Sequence, residues 1–119
     1  MFKVLLIGAG HMGSALLNAW VKNKIYKISV IDPYAKKTKL TKKIKYYKNI
    51  DKLKNIKDFD ILFFAVTPQI IDEVIEPYKK IILKDQLIIS IIAGKKTKYF
   101  KNKLGKNIKI IRTMPNLPA

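Results

Sequence analysis

Residues 4–20 read VLLIGAGHMGSALLNAW, and this stretch restricts the fold more than any other part of the chain. An apolar, strand-forming run passes through three glycines into an amphipathic helix sequence. Gly8, Gly10 and Gly13 are spaced G-x-G-x-x-G. Each glycine in that spacing has its own physical task. The first permits a tight turn, the second lets backbone amides approach a pyrophosphate, and the third lets helix and strand pack closely. The start of the helix then offers unpaired N–H groups and a partial positive charge to phosphate. A strand, loop and helix of this kind requires neighbouring parallel strands, each reached by a crossover.

The remainder of the sequence supplies them. Short β-branched runs alternate with longer mixed stretches, which predicts parallel strands joined by helices. Strands are expected at 2–7, 27–31, 60–66, 87–92 and 107–113, with a weaker one at 44–47. The first helix is expected from about residue 11 to 23, with Met12, Ala15, Leu16, Ala19 and Trp20 along its apolar face. A lysine-rich helix over about 34–43, a short helix near 51–57 and another at 97–104 complete the alternation. TPQIIDEVIEPYKKII opens a further helix with Pro68 in its first turn, and Pro77 should end or kink it. The strands are apolar on both faces, as in a sheet covered by helices on each side. The fold class is α/β, a Rossmann-type doubly wound parallel sheet, with residues 1–119 as a single dinucleotide-binding domain. In such sheets ligands lie across the carboxyl ends of the strands, where strand order reverses. Those ends carry GAGHMG (8–13), DP (32–33), TPQ (67–69), AG (93–94) and MPN (114–116).

Asp32 closes the second strand 22 residues after Gly10. Its carboxylate can accept from an adenosine ribose 2′-OH, which favours NADH. Lys36 and Lys37 follow closely and could neutralise the 2′-phosphate of NADPH instead. Asp32 can equally serve as a turn residue before Pro33. His11, the single histidine, sits in the glycine loop as an exposed helix-start residue near the pyrophosphate, a reading favoured over that of a proton donor.

Composition narrows the function classes. A chain of 119 residues can bury about 65% of its unfolded surface in one domain. Cysteine is absent, so there is no disulfide framework, Cys-based zinc site or thiol nucleophile, which suits a reducing cytoplasm. The N-terminal apolar run is too brief for a signal peptide, and ILFFAV and LIISIIA are far too short to span a membrane. The net charge of +17 comes from 24 lysines and one arginine, Arg112, spread along the chain. Specific nucleic-acid sites combine arginine with base-stacking aromatics, so this charge reads as background with salt-sensitive attraction for polyanions.

Four blocks, IGAGHMGSAL, FDILFFAVTPQ, IISIIAG and IIRTMPNLPA, together resemble the N-terminal domain of pyrroline-5-carboxylate reductase across the whole chain. The R-x-M-P-N-x-P-A ending is the most specific of them. That family reduces 1-pyrroline-5-carboxylate to L-proline with NADPH or NADH, the last step of proline biosynthesis. The resemblance implies that Ile7, Gly8, Ala9, Gly10, His11, Met12 and Gly13 line the pyrophosphate and Asp32 the adenosine end. It implies that Ala65, Val66, Thr67 and Pro68 pass beside the cofactor and that Ala93 and Gly94 lie near the nicotinamide. Met114, Pro115 and Asn116 would bound the hydride-transfer pocket, with Asn116 also at the cofactor. Thr67 stands where the family commonly has lysine, and Leu117 where it has threonine. The family's helical dimerisation domain, with its substrate-carboxylate loop, would begin where this chain ends. The resemblance therefore implies a chain that binds NAD(P)H and reduces the imine weakly or not at all alone, with a helical-domain partner or self-association supplying the rest. No catalytic acid–base pair and no metal site is expected. Related Rossmann reductases, such as a deazaflavin-dependent NADP reductase or a β-hydroxyacid dehydrogenase, share the glycine loop but not MPN-x-PA. A non-catalytic dinucleotide or basic binding module is the other reading.

Overall fold

The structure, a computed structural model, describes residues 2–23, 25–34 and 44–113, and of His11 and Met12 the backbone alone. The β-branched runs form six strands: β1 (Phe2–Ile7), β2 (Tyr26–Ile31), β3 (Lys45–Tyr47), β4 (Ile61–Phe64), β5 (Leu87–Ser90) and β6 (Lys109–Arg112). Every neighbouring pair is parallel, in the order β3-β2-β1-β4-β5-β6. The chain winds outward from β1 to β3, then crosses back to lay β4 on the other side of β1. The reversal between β1 and β4 is the doubly wound switch point that the alternation predicts.

Register aligns the carboxyl ends. Tyr47, Ile31, Ile7, Phe64, Ser90 and Arg112 form one row across the sheet. The next residues continue the ladder, with Gly8 N–H donating to Ile31 C=O at 2.9 Å and Ala65 N–H to Ile7 C=O at 2.8 Å. The loops that follow β1, β2 and β4 therefore leave one edge at one height.

Alternation along each strand divides the core in two. Leu5, Ile7, Leu62, Phe64 and Ile88 face α2 (Ile71–Ile75) and α3 (Thr97–Leu104), whose Ile71, Ile75, Phe100 and Leu104 are buried against them. Val4, Leu6 and Phe63 face α1 (His11–Trp20), which contributes Leu17 and stacks Trp20 edge-on to Phe63 at 5.0 Å between ring centroids. Phe64 is fully buried, edge-on to Tyr78 at 5.3 Å and 6.0 Å from Phe100. Burying a ring of this size contributes about 1.5–3 kcal/mol, before the specific ring geometry.

Several elements differ from the sequence expectation. Leu16 and Trp20 of the expected α1 face pack on the core, but the face is centred on buried Gly13 and Leu17, and Ala19 is exposed. The helix expected near 51–57 is a pair of 3-10 turns, Ile50–Lys52 and Ile56–Asp58. Asn49 caps the first through its side chain, taking Asp51 N–H at 3.1 Å, and Leu53 is extended, so no helix propagates. Pro68 lies ahead of its helix: Thr67 closes a turn on Ile70, and α2 begins at Ile71. Pro77 does end the α-helical geometry, because its missing N–H leaves a 3-10 segment over Glu76–Lys80. Apolar cover on both faces fails at β6, where Ile110 packs on the core but Ile111 is 51% exposed. The lysine-rich helix expected at 34–43 lies outside the described residues apart from Tyr34. Among the described residues no helix is long and apolar enough to cross a membrane.

Candidate functional site

The switch point is built from the glycine loop upward. Gly8 takes φ +92°, and a Cβ there would stand 2.6 Å from Val66 Cγ1 and 2.9 Å from Val66 N. A Cβ on Gly13 would stand 2.6 Å from the carbonyl oxygen of Gly8. The first and third glycines thus let the ends of β1, β4 and α1 approach within a methyl's width. Gly10 is different: it caps α1, and a Cβ there meets nothing within 4 Å. The face of the loop at Gly10 is open.

The first helical bond of α1 runs from Ser14 N–H to Gly10 C=O at 2.8 Å. The amides of His11, Met12 and Gly13 therefore have no partner within the helix, and no acidic residue occupies the first turn. Ala9 is held on both sides, its N–H donating to Asp32 Oδ2 at 2.7 Å and its C=O accepting from Ser14 Oγ at 2.6 Å. Asp32 Oδ1 accepts from Tyr34 N–H at 2.8 Å. The turn role and the loop role of Asp32 coexist in one carboxylate, which braces the end of β2 against the loop after β1.

A cavity of about 460 Å³ opens beside this brace, within the usual 300–1,000 Å³ of small-molecule sites. Ile7, Gly8, Ile31, Asp32 and Val66 line it at the sheet edge, while Ile70, Val74 and Tyr78 form an apolar wall. Lys48, Asn49 and Glu73 supply its other polar groups. Burial pushes the Tyr78 hydroxyl well above the ordinary phenol range, so it is protonated at any physiological pH. The site thus combines a long apolar chamber, a carboxylate at its mouth and open amides at a helix start. These features fit a dinucleotide laid across the switch point, and no acid–base pair for proton transfer is among them.

The expected site residues fall into three groups. Ile7, Gly8, Ala9, Gly10, Gly13, Asp32, Ala65 and Val66 converge at the switch point, with the backbones of His11 and Met12. Thr67 and Pro68 are exposed just beyond it, and Ala93 and Gly94 form an exposed turn after β5 that does not line the cavity. Met114, Pro115 and Asn116, with Lys36, Lys37 and Leu117, lie outside the described residues. Sequence reasoning missed Ser14, Lys48, Asn49, Glu73 and Tyr78. An early-turn serine that bonds back to a carbonyl is a recognisable possibility, whereas the other four are brought in by tertiary packing alone. Among the described residues no cluster of His, Cys, Asp or Glu could hold a metal ion.

Strand order, glycine geometry and cavity together define a Rossmann-type dinucleotide-binding fold. The chain belongs to the family described as "NADP oxidoreductase coenzyme F420-dependent", whose sequence profile matches residues 3–94, and it is similar over nearly its whole length to part of the chain of pyrroline-5-carboxylate reductases. Pyrroline-5-carboxylate reductase of Methanosarcina acetivorans is 32% identical over 98% of this chain and 45% of its own length. The Escherichia coli enzyme of that name is 31% identical, with the same coverage of each. The crystal structure of 1-pyrroline-5-carboxylate reductase from Streptococcus pyogenes superposes on 96% of this chain and 42% of its own with a TM-score of 0.73. At 24% identity that likeness shows the fold alone. The chain spans less than half the length of these relatives.

Proposed function

We propose that this chain is the cofactor domain, over residues 1–119, of a reductase that converts 1-pyrroline-5-carboxylate to L-proline in the cytoplasm. The observation that carries this reading is alignment with pyrroline-5-carboxylate reductases over 98% of the chain, well past the end of the family profile at residue 94. The open amides of His11, Met12 and Gly13 hold the pyrophosphate, with Gly10 giving it room. Asp32 accepts from the adenosine ribose, and Ala65, Val66, Thr67 and Pro68 guide the cofactor along the sheet edge. Ala93 and Gly94 border the nicotinamide, and Met114, Pro115 and Asn116 bound the imine pocket. The bound dinucleotide supplies a hydride to the C=N carbon, while the ring nitrogen keeps the proton it carries as an iminium. The chain's own contribution is to bind, orient and exclude water, which requires no acid–base pair.

Orienting the imine against the nicotinamide is worth several kcal/mol of barrier. The longer relatives have more than half their length outside the aligned region, and a helical domain or self-association is the proposed source of that orientation. Calorimetric titration at moderate salt is expected to show saturable binding of NADH or NADPH. The assay of proline formation is expected to give little or no turnover with this chain alone and turnover when the helical half of a relative is supplied. Ordinary reductase turnover by the chain alone would overturn the division of labour, and binding of neither dinucleotide would overturn the reading itself. The profile match supports a second reading, hydride exchange with a deazaflavin. It would take precedence if the supplemented chain reduced a deazaflavin and not the imine.

A further inference from the structure

We infer that the sheet face beyond α1, over β5 and β6, docks an amphipathic helix of a partner protein, apolar along one stripe and acidic beside it. The inference does not rest on the reaction proposed above. This face belongs to the α1 side of the sheet, whereas the cavity lies on the α2 side, walled by Ile70, Val74 and Tyr78.

A parallel sheet keeps its strands apolar on both faces and needs cover on both. On the α2 side, Leu62, Ile88 and Ile110 stand in one row across β4, β5 and β6. The first two are fully buried, and Ile110 packs on the core. On the α1 side the matching row is Phe63, Ile89 and Ile111. Its exposure rises away from α1, from 5% at Phe63 through half-buried Ile89 to 51% at Ile111. Among the described residues α1 is the one helix on that side, since the buried side chains of α2 and α3 all join the opposite cluster.

The bare strip has the width of one helix. Leu17 of α1 packs with Val4 and Leu6 of β1, and β5 lies two strands further along the sheet. Strands about 4.8 Å apart set β5 about 10 Å from β1, the distance at which a second helix packs beside a first. Between α1 and the strip is a cleft of about 100 Å³, lined by Val4, Trp20, Tyr26, Ile61, Phe63 and Ile89. That is too small for an ordinary ligand and suits one aliphatic side chain. Helix-in-groove recognition works in this way, with apolar anchors a helical turn apart entering such clefts.

Charge chooses the occupant. Ile61, Leu87 and Lys109 form the next row of the same face, so β4, β5 and β6 present one charged group here, an exposed lysine. A second copy of the chain would bring +17 to meet +17. A helix with glutamates beside its apolar stripe instead complements Lys109 and the surrounding field.

Trp20, the single tryptophan, lines the cleft and reports its occupation. The test titrates the full chain at moderate salt with three synthetic helical peptides free of tryptophan. One carries leucines at i, i+4 and i+7 bordered by glutamates, one has those leucines replaced by glutamine, and one has the glutamates replaced by lysine. The first is expected to shift Trp20 emission saturably and to bind roughly tenfold or more tightly than the others. Ile111→Ser is expected to leave the melting temperature nearly unchanged and to weaken that peptide roughly tenfold, as loss of one apolar contact requires. Lys109→Glu is expected to weaken it as well and to strengthen the lysine-bordered peptide. Equal binding of the glutamine peptide would show that the lysine field alone attracts it, which overturns the inference, as does undiminished binding by Ile111→Ser. A dimer in sedimentation that Ile111→Lys dissociates would assign the face to a second copy and overturn it too. NADH is expected to bind equally with and without the first peptide, so failure to bind NADH bears on the proposed function alone.

Discussion

At the scale of single residues, the three glycines of the loop make separable predictions. Gly8→Ala must place a side chain at φ +92° and 2.9 Å from a backbone nitrogen, and Gly13→Ala must place one 2.6 Å from a carbonyl oxygen. In neither case is the obstructing backbone atom free to yield. Each is expected to cost about 2–4 kcal/mol, a fall in melting temperature on the order of 10 °C. Gly10→Ala meets no protein atom within 4 Å, and its backbone is extended at φ −69°. It is expected to change stability by less than about 1 kcal/mol. It should weaken dinucleotide binding on the order of tenfold, as a single overlap of 1–3 kcal/mol requires. Thermal unfolding and calorimetry on the same three variants check the contrast. The glycines were legible in the sequence because each requirement is local to a turn or a helix start. The double engagement of Asp32 was not, because it depends on residues 9 and 34 arriving together through the pairing of β1 with β2.

At the scale of elements, one buried side chain ties the turn before β5 to the 3-10 turn Ile56–Asp58. Gln86 is 4% exposed, donates Nε2 to Ile56 C=O at 2.8 Å and Phe59 C=O at 2.9 Å, and accepts from Leu83 N–H at 2.9 Å. Gln86→Leu leaves those groups unpaired away from water and is expected to cost about 2–4 kcal/mol by chemical denaturation. α3 is joined more lightly to α2 by Tyr99 Oη–H donating to Asp72, and to the following 3-10 segment by Lys103 with Glu76 at 3.7 Å. The Tyr99 hydroxyl holds the Asp72 carboxyl below its ordinary range, helped by the charges of Lys95 and Lys103 and opposed by desolvation. A carboxyl lowered in the folded state stabilises at pH above its unfolded value and loses that contribution as pH falls through its folded value. The stability difference between the native chain and Tyr99→Phe is therefore expected to be small and flat from about pH 8 to 5, then to shrink below about pH 4. All six strands, and α1 and α3, could be read from apolar periodicity. The 3-10 turns and the late start of α2 could not, because Asn49 and the turn at Thr67 compete locally with helix. That late start also places Ile70, Glu73 and Val74 on the cavity, so the chamber beside the loop was invisible to motif reading while the loop itself was plain.

At the scale of the whole molecule, the +17 charge stands against 8 carboxylate side chains, and the described residues contain one ion pair, Lys103 with Glu76. Self-repulsion on this scale destabilises a compact state and is relieved by screening. Melting temperature is therefore expected to rise as sodium chloride is raised to about 0.3 M, where the screening length falls below about 8 Å. A falling or flat melting temperature would show that the lysines are already compensated. The sheet order carries a last consequence, for the chain as it is made. β1 and the glycine loop leave the ribosome well before β4, yet β1 lies at the centre of the sheet, and one of its edges has no partner until residues 61–64 arrive. The crevice needs Val66 against Gly8, so it cannot close until Val66 has been synthesised, 58 residues after Gly8. A nascent chain halted before that point exposes an unpaired central strand, the kind of edge that chaperones hold and that aggregates extend. The central strand is thus made long before it is sheltered, and translation speed between residues 8 and 66 becomes a determinant of yield.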